Sequence, residues 1–141
     1  MKTLVLISCV KTKLHRSAKA EELYTSDLFR KSYQYAMSLN PDMIFILSAK
    51  YGLLPPEKII EPYEMTLNSM KAADRKIWSA TILENLKKYA DPNKDKFIFL
   101  CGSKYREYLL HGICHYEIPM VGLRNGQQKK WLKEKLKHGY M

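Results

Sequence analysis

The chain is short of the residues that staple, hinge or anchor a protein. Its three cysteines, Cys9, Cys101 and Cys114, form no CxxC pair and no zinc spacing, which excludes a disulfide framework and a zinc module. A sparse, odd count fits a reducing cytoplasm. The four histidines, His15, His111, His115 and His138, make no HxH or HExxH pattern, so neither a metal nor a cofactor is expected. Six glycines and six prolines are too few for a fibrous or linker-rich chain. No apolar run approaches the ~20 residues that cross a bilayer, and no membrane partner is expected. At the start, the apolar run is only Leu4 to Ile7 before Lys11 and Lys13 follow. That is too short for a secretory leader and reads as a buried strand.

Acidic residues are scarce too. There are 14 Asp and Glu against 24 Lys and Arg, a net charge of +10. The imbalance is uneven: residues 1–70 carry a net +2 and residues 71–141 a net +8. Such a field favours polyanions, with nucleic acid (DNA or RNA) the expected partner. The hydrophobic fraction of 46% over 141 residues predicts one folded domain, 1–141, that needs no covalent staple.

Short apolar, β-branched runs predict strands buried on both faces at Thr3 to Ser8, Met43 to Ser48 and Lys96 to Cys101, with a weaker one at Cys114 to Ile118. Between them, Ser26 caps a helix to about Leu39, with Phe29, Tyr33, Ala36 and Met37 on its apolar face. Asn68 is expected to cap a second helix to about Ala90. Gly102-Ser103 opens a third to about Leu110, and Gly122 to Gly126 leads into a last one to about His138. The polar stretch up to Glu22 and the stretch Ala49 to Leu67 read as irregular loops. This alternation predicts an α/β fold, a three-layer α/β/α sandwich on a mostly parallel four-stranded sheet of order 2-1-3-4.

In open α/β sheets, ligands bind beyond the carboxyl ends of the strands. Those ends supply Ser8 and Cys9 with Lys13 beyond, then Ser48, Lys50, Tyr51 and Gly52, then Gly102, Ser103 and Lys104. Small residues admit a ligand to the backbone, lysines favour anions, and tyrosines offer a face to a base. Glu61, between an isoleucine pair and a proline, is expected in apolar surroundings that raise its pKa for acid/base work. Arg124 and Gly126 open a helix whose free N–H groups suit phosphate, and Lys129, Lys130 and Lys133 continue the basic stripe. Cys9, close in sequence to Lys11 and Lys13, is a second catalytic candidate, as a nucleophile.

The motif Ser48-Ala-Lys-Tyr51-Gly52-Leu53-Leu54-Pro, followed by Ile60-Glu61-Pro62-Tyr63, resembles a bacterial and phage family of small domains of unknown function. So do Ser8-Cys9 with Lys11 and Lys13, Glu22-Leu-Tyr24-Thr-Ser26-Asp-Leu28-Phe29, Cys101-Gly102-Ser103-Lys104-Tyr105 and the Gly122 to Gln127 segment. The central loop is also similar to that of the YaaA peroxide-stress proteins. More remotely, the start resembles the core domain of archaeosine synthase, which modifies a deazaguanine base in tRNA. These resemblances imply a uracil-DNA-glycosylase-like fold and contact with nucleic acid, and they add Tyr24 and Ser26 to the substrate-binding set.

The function expected is an enzyme acting on a nucleobase in nucleic acid by cleaving an N-glycosidic bond. Tyr51 or Tyr63 would stack on the base, and Ser8, Cys9 and Ser103 would bond its edge. Lys13, Lys50 and Arg124 would hold phosphate, and Glu61 would position water or stabilise a cationic sugar. Two alternatives stand beside it: a non-enzymatic nucleic-acid-binding module that needs only the basic tail, and an enzyme on a free nucleotide or nucleoside.

Overall fold

A computed structural model describes residues 1–9 and 13–139. The core strand β1 (Thr3–Ser8) lies between β3 (Met43–Ser48) and β6 (Lys96–Leu100), parallel to both. Leu4, Val5, Leu6 and Ile7 are all buried, so β1 is covered on both faces, as a continuous apolar run requires. A further parallel strand, β7 (His115–Glu117), pairs with β6 and is exposed along its length.

The four parallel strands follow the expected order, but the sheet has five strands. β4 (Gly52–Leu54) folds back antiparallel on β3 and forms the other edge, giving the order β4-β3-β1-β6-β7. The stretches taken for irregular loops therefore hold structure. β2 (Ala18–Lys19) pairs antiparallel with β5 (Ile59–Ile60), and a one-turn helix α1 (Ala20–Leu23) follows β2. This two-stranded sheet ties the segment after β1 to the long loop after β4.

Helix α2 (Asp27–Ser38) starts where its cap predicts: the Ser26 hydroxyl accepts the Phe29 N–H at 3.1 Å. Helix α3 (Ala72–Leu86) starts later than expected. Thr66, not Asn68, caps a short 3₁₀ turn at Leu67–Ser69, and α3 begins three residues on without a side-chain cap. Helix α4 (Ser103–Arg106) is a single turn, shorter than expected, with a separate 3₁₀ turn at Leu110–Gly112. Helix α5 (Asn125–Gly139) docks on α2 through buried Leu132 and through Trp131, whose ring meets Tyr35 edge-on at 5.1 Å. None of these helices is long and apolar enough to cross a membrane, among the described residues.

The two ends of the sheet differ. At the amino end, carboxylates close off the backbone: Asp42 accepts the Thr3 N–H at 2.7 Å, and Asp95 accepts the N–H groups of Lys2 at 2.8 Å and Asp91 at 2.7 Å. At the carboxyl end, the chain opens into a cavity.

Candidate functional site

The cavity measures about 1030 Å³ and lies beyond the carboxyl ends of β1 and β6. Five other segments wall it: the segment after β1 through Lys13, the start of α2 with Phe29 and Ser32, the loop from Tyr63 to Asn68, the start of α4, and the first turn of α5 through Asn125 and Gln128. The fold thus delivers what the strand-end rule requires, a hollow at the point where the crossover direction changes.

Its deepest chemistry is a set of buried hydroxyls. Tyr63 lines the cavity and shares a hydrogen bond with the Tyr24 hydroxyl at 2.5 Å. The Ser48 hydroxyl donates to Tyr63 at 2.8 Å and accepts the Tyr51 N–H at 3.0 Å. The Ser48 carbonyl takes the Trp78 indole N–H at 3.0 Å, which locks the end of β3 to α3. Cys9 Sγ lies 3.3 Å from the Tyr105 hydroxyl, and the Trp78 ring stands edge-on to Tyr105 at 5.7 Å. Burial pushes the Tyr24, Tyr63 and Tyr105 hydroxyls well above the ordinary phenol range, and for Tyr63 and Tyr105 the neighbouring Cys9 is the next contributor. All three remain protonated and serve as neutral hydrogen-bonding groups. Cys101 is also pushed up by burial, and its thiol donates to the Leu6 carbonyl at 3.0 Å.

Lys13 enters this group from the segment after β1, where its backbone pairs with Tyr24 in an isolated antiparallel bridge. Its Nζ lies 4.5 Å from the centre of the Tyr63 ring and 5.7 Å from that of Tyr24. Burial lowers its pKa, against the attraction of Cys9 and Glu64.

The structure brings seven of the expected residues to the cavity: Ser8, Cys9, Lys13, Tyr63, Gly102, Ser103 and Lys104. Tyr24 and Ser48 stand behind Tyr63 and hold its hydroxyl. Ser26 caps α2. The others lie outside the lining described. Lys50, Tyr51 and Gly52 build the β3–β4 turn, with the Lys50 ammonium over the Tyr51 ring at 5.4 Å and the Tyr51 hydroxyl donating to the Glu61 carbonyl at 3.3 Å. Neither expected stacking platform is available there: Tyr51 belongs to the turn, and Tyr63 is 8% exposed with Lys13 across its ring and Tyr24 and Tyr51 edge-on to it.

Glu61 is the main correction. The apolar setting expected for it does not form: the residue is exposed, away from the lining described, and only its carbonyl takes part in the turn. The carboxylate at the cavity is Glu64, three positions on. Arg124, Gly126, Lys129, Lys130 and Lys133 are exposed along the start of α5, while Asn125 and Gln128 of the same turns face the cavity. Lys11, proposed to act on Cys9, lies outside the described residues.

Tyr105, Ser32, Glu64, Thr66, Asn68, Asn125 and Gln128 are lining residues that the sequence did not single out as site residues. Ser32 did carry a signal, because it is a buried polar residue on the same face of α2 as Phe29 and Ala36. Among the described residues no cluster of three or more His, Cys, Asp or Glu side chains could hold a metal ion.

No curated protein matches the chain. Residues 4–134 match the model of a family of unknown function, DUF6884, and the chain belongs to that family.

Proposed function

We propose that the protein acts on a nucleotide presented by a nucleic acid strand, taking the nucleotide into the rim cavity and cleaving its N-glycosidic bond. One observation carries this reading. The helix whose first turn lines the cavity, through Asn125 and Gln128, presents exposed Lys129, Lys130 and Lys133 in its next turns. A strand whose phosphates lie along those lysines can extend one nucleotide into the cavity, and pockets of roughly 300–1,000 Å³ suit ligands of that size. The finer fold expectation belongs to the same reading. Right-handed crossovers would place α2 and α3 on opposite faces of the sheet, giving the three-layer arrangement of uracil-DNA glycosylases. The motif likeness to YaaA proteins and archaeosine synthase supports it.

In this reading Ser8 and Ser103 bond the edge of the base, with Cys9 and Tyr105 beside them. Lys104 and Arg124 hold phosphate together with the α5 lysines. The bond from C1′ to the base nitrogen breaks with its electron pair going to the base, and water adds to C1′. Glu64, in place of Glu61, stabilises the cationic sugar and orients that water.

The test is binding to single-stranded DNA, duplex DNA and tRNA by fluorescence anisotropy over a salt series, followed by mass spectrometry for released bases. The expected result is salt-dependent binding with base release that Glu64→Gln abolishes and Glu61→Gln leaves unchanged. Binding without release from any of the three would reduce the protein to a nucleic-acid-binding module. A second reading, an enzyme on free nucleotides, rests on the cavity volume, which accommodates a whole mononucleotide. It predicts that a nucleotide raises the melting temperature while no nucleic acid binds.

A further inference from the structure

We propose that Ser32 is a specificity-determining contact of the cavity: its hydroxyl bonds a polar atom of the nucleobase, which lies against Leu28 and Phe29 of the same helix. The inference deepens the reading above and rests on it for the presence of a base.

Ser32 stands nearly one turn after Phe29 on α2, is 3% exposed, and lines the cavity. A serine inside a helix ordinarily turns its hydroxyl to water or back to a carbonyl of the preceding turn, as Ser38 does to Tyr35 at 2.6 Å. Ser32 does neither: it is buried, and among the described residues none bonds its hydroxyl. Buried hydroxyls are otherwise paired almost without exception. The other hydroxyls of the cavity differ. Those of Tyr63, Tyr105 and Thr66 are bonded within the protein, and Ser8 and Ser103 are open enough for water to serve them. Ser79 supplies the contrast. It is 2% exposed and also unpartnered, but its oxygen is sealed from solvent and it sits on α3, outside the lining described. The Ser32 oxygen is not sealed, and the space beside it is the cavity.

The surroundings of Ser32 favour a base over a phosphate. Its lining neighbours on α2, Leu28 and Phe29, are apolar. Helix α5 packs on α2 and brings Gln128 to the same cavity. The Gln128 Nε2 donates to the Leu123 carbonyl at 2.8 Å, which leaves its Oε1 as an acceptor. An ionised phosphate offers acceptors alone and finds no donor in that oxygen. The edge of a nucleobase carries an N–H donor and an acceptor together, which suits a hydroxyl and an amide oxygen set among apolar walls.

The experiment compares Ser32→Ala with Ser79→Ala in the full chain. Affinity is measured by anisotropy for short single strands of deoxyadenosine, of deoxycytidine and of thymidine. A strand of abasic tetrahydrofuran units, which keeps the phosphates and has no bases, is measured beside them. Ser32→Ala is expected to bind the tightest of the base-bearing strands roughly 3- to 10-fold more weakly and the abasic strand unchanged. Without ligand it should melt no lower than the unaltered chain, because its hydroxyl gives up no bond within the protein. Ser79→Ala should leave the affinity for every strand unchanged. Undiminished binding of the base-bearing strands by Ser32→Ala, an equal loss on the abasic strand, or a lower melting temperature would overturn the proposal. If the unaltered chain binds no strand, the nucleic-acid reading fails by itself and the free 5′-mononucleotides decide for Ser32. A rise in melting temperature that shrinks in Ser32→Ala keeps the contact; a rise that does not shrink, or no rise, overturns it. Base release is scored separately, and its absence removes the glycosidic reading while the base contact stands.

Discussion

Tyr24, Tyr63 and Tyr105 are buried phenols, and their hydroxyls join in holding the walls of the cavity together. Burial raises the pKa of each, so each keeps its proton in the folded state after the unfolded chain has lost it near pH 10. In that alkaline window the folded state binds more protons, and stability falls as pH rises. Lys13 acts in the opposite sense. Its pKa is lowered in the folded state, so the native chain sheds that proton first and gains stability until the unfolded amine also titrates near 10.5. Three phenols against one partly exposed amine give a net loss. Urea midpoints are therefore expected to drop above about pH 10. In Tyr24→Phe, whose ring keeps its packing against Phe29 at 5.1 Å, the drop is expected to be shallower. An unchanged slope in that variant would show that Tyr24 ionises alike in both states. At the same scale, Glu61 and Glu64 show how far a residue type carries. The sequence called for a carboxylate in this loop, but the exit of the chain from β5 points the one toward solvent and brings the other to the cavity.

Gly52, expected at a strand end, and Gly126, expected at a helix start, have different work as parts of elements. Gly52 turns β3 into β4 with φ +71°, a conformation that costs an L side chain about 1–2 kcal/mol. A Cβ there would meet only an ordinary contact, Ile82 Cδ1 at 3.5 Å, so the loss in Gly52→Ala is backbone strain and not collision. Gly126 has no positive φ, and an added Cβ would find nothing within 4 Å. Gly126→Ala is expected to stabilise α5 by up to about 1 kcal/mol through helix propensity. Chemical denaturation of the two variants checks both signs. Loss of nucleic-acid binding in Gly126→Ala would restore the backbone phosphate cradle first expected there. The elements legible in the sequence were those that carry their own signal. The runs Leu4 to Ile7, Ile44 to Leu47 and Phe97 to Leu100 are apolar on successive residues because both faces of those strands are covered, and Ser26 announces α2 by its cap. The strands β4 and β5, three and two residues long, are fixed by the partners they meet, and no local pattern marks them. The same limit applies to the site. The strand-end residues Ser8, Cys9, Gly102 and Ser103 could be found from the chain, whereas Tyr105, Thr66 and Asn125 reach the cavity only through the packing of the surrounding elements.

Over the whole molecule, the excess positive charge falls in the second half of the chain, and part of it lies on the helix that helps wall the cavity. A charge excess alone promotes solubility; contact with phosphates adds a salt dependence that can be measured. Each phosphate neutralised contributes about 0.9 to the log–log slope of affinity against salt on duplex DNA and about 0.7 on a single strand. Lys129, Lys130 and Lys133 are exposed, so replacing all three with Gln leaves the core intact, and the melting temperature is expected to stay close to that of the unaltered chain. If each of the three contacts a phosphate, the slope falls by about 2 on single strands and nearly 3 on duplex. Affinity at low salt falls with it. The cavity is untouched by the change, so the chemistry should persist where binding is saturated: kcat is expected to hold while KM rises. A slope that does not move would detach α5 from the nucleic acid and leave its lysines as a solvated face. The cavity alone would then hold the substrate, and free nucleotides would become the substrates to test, because a ligand enclosed at the sheet rim needs no track of phosphates leading to it.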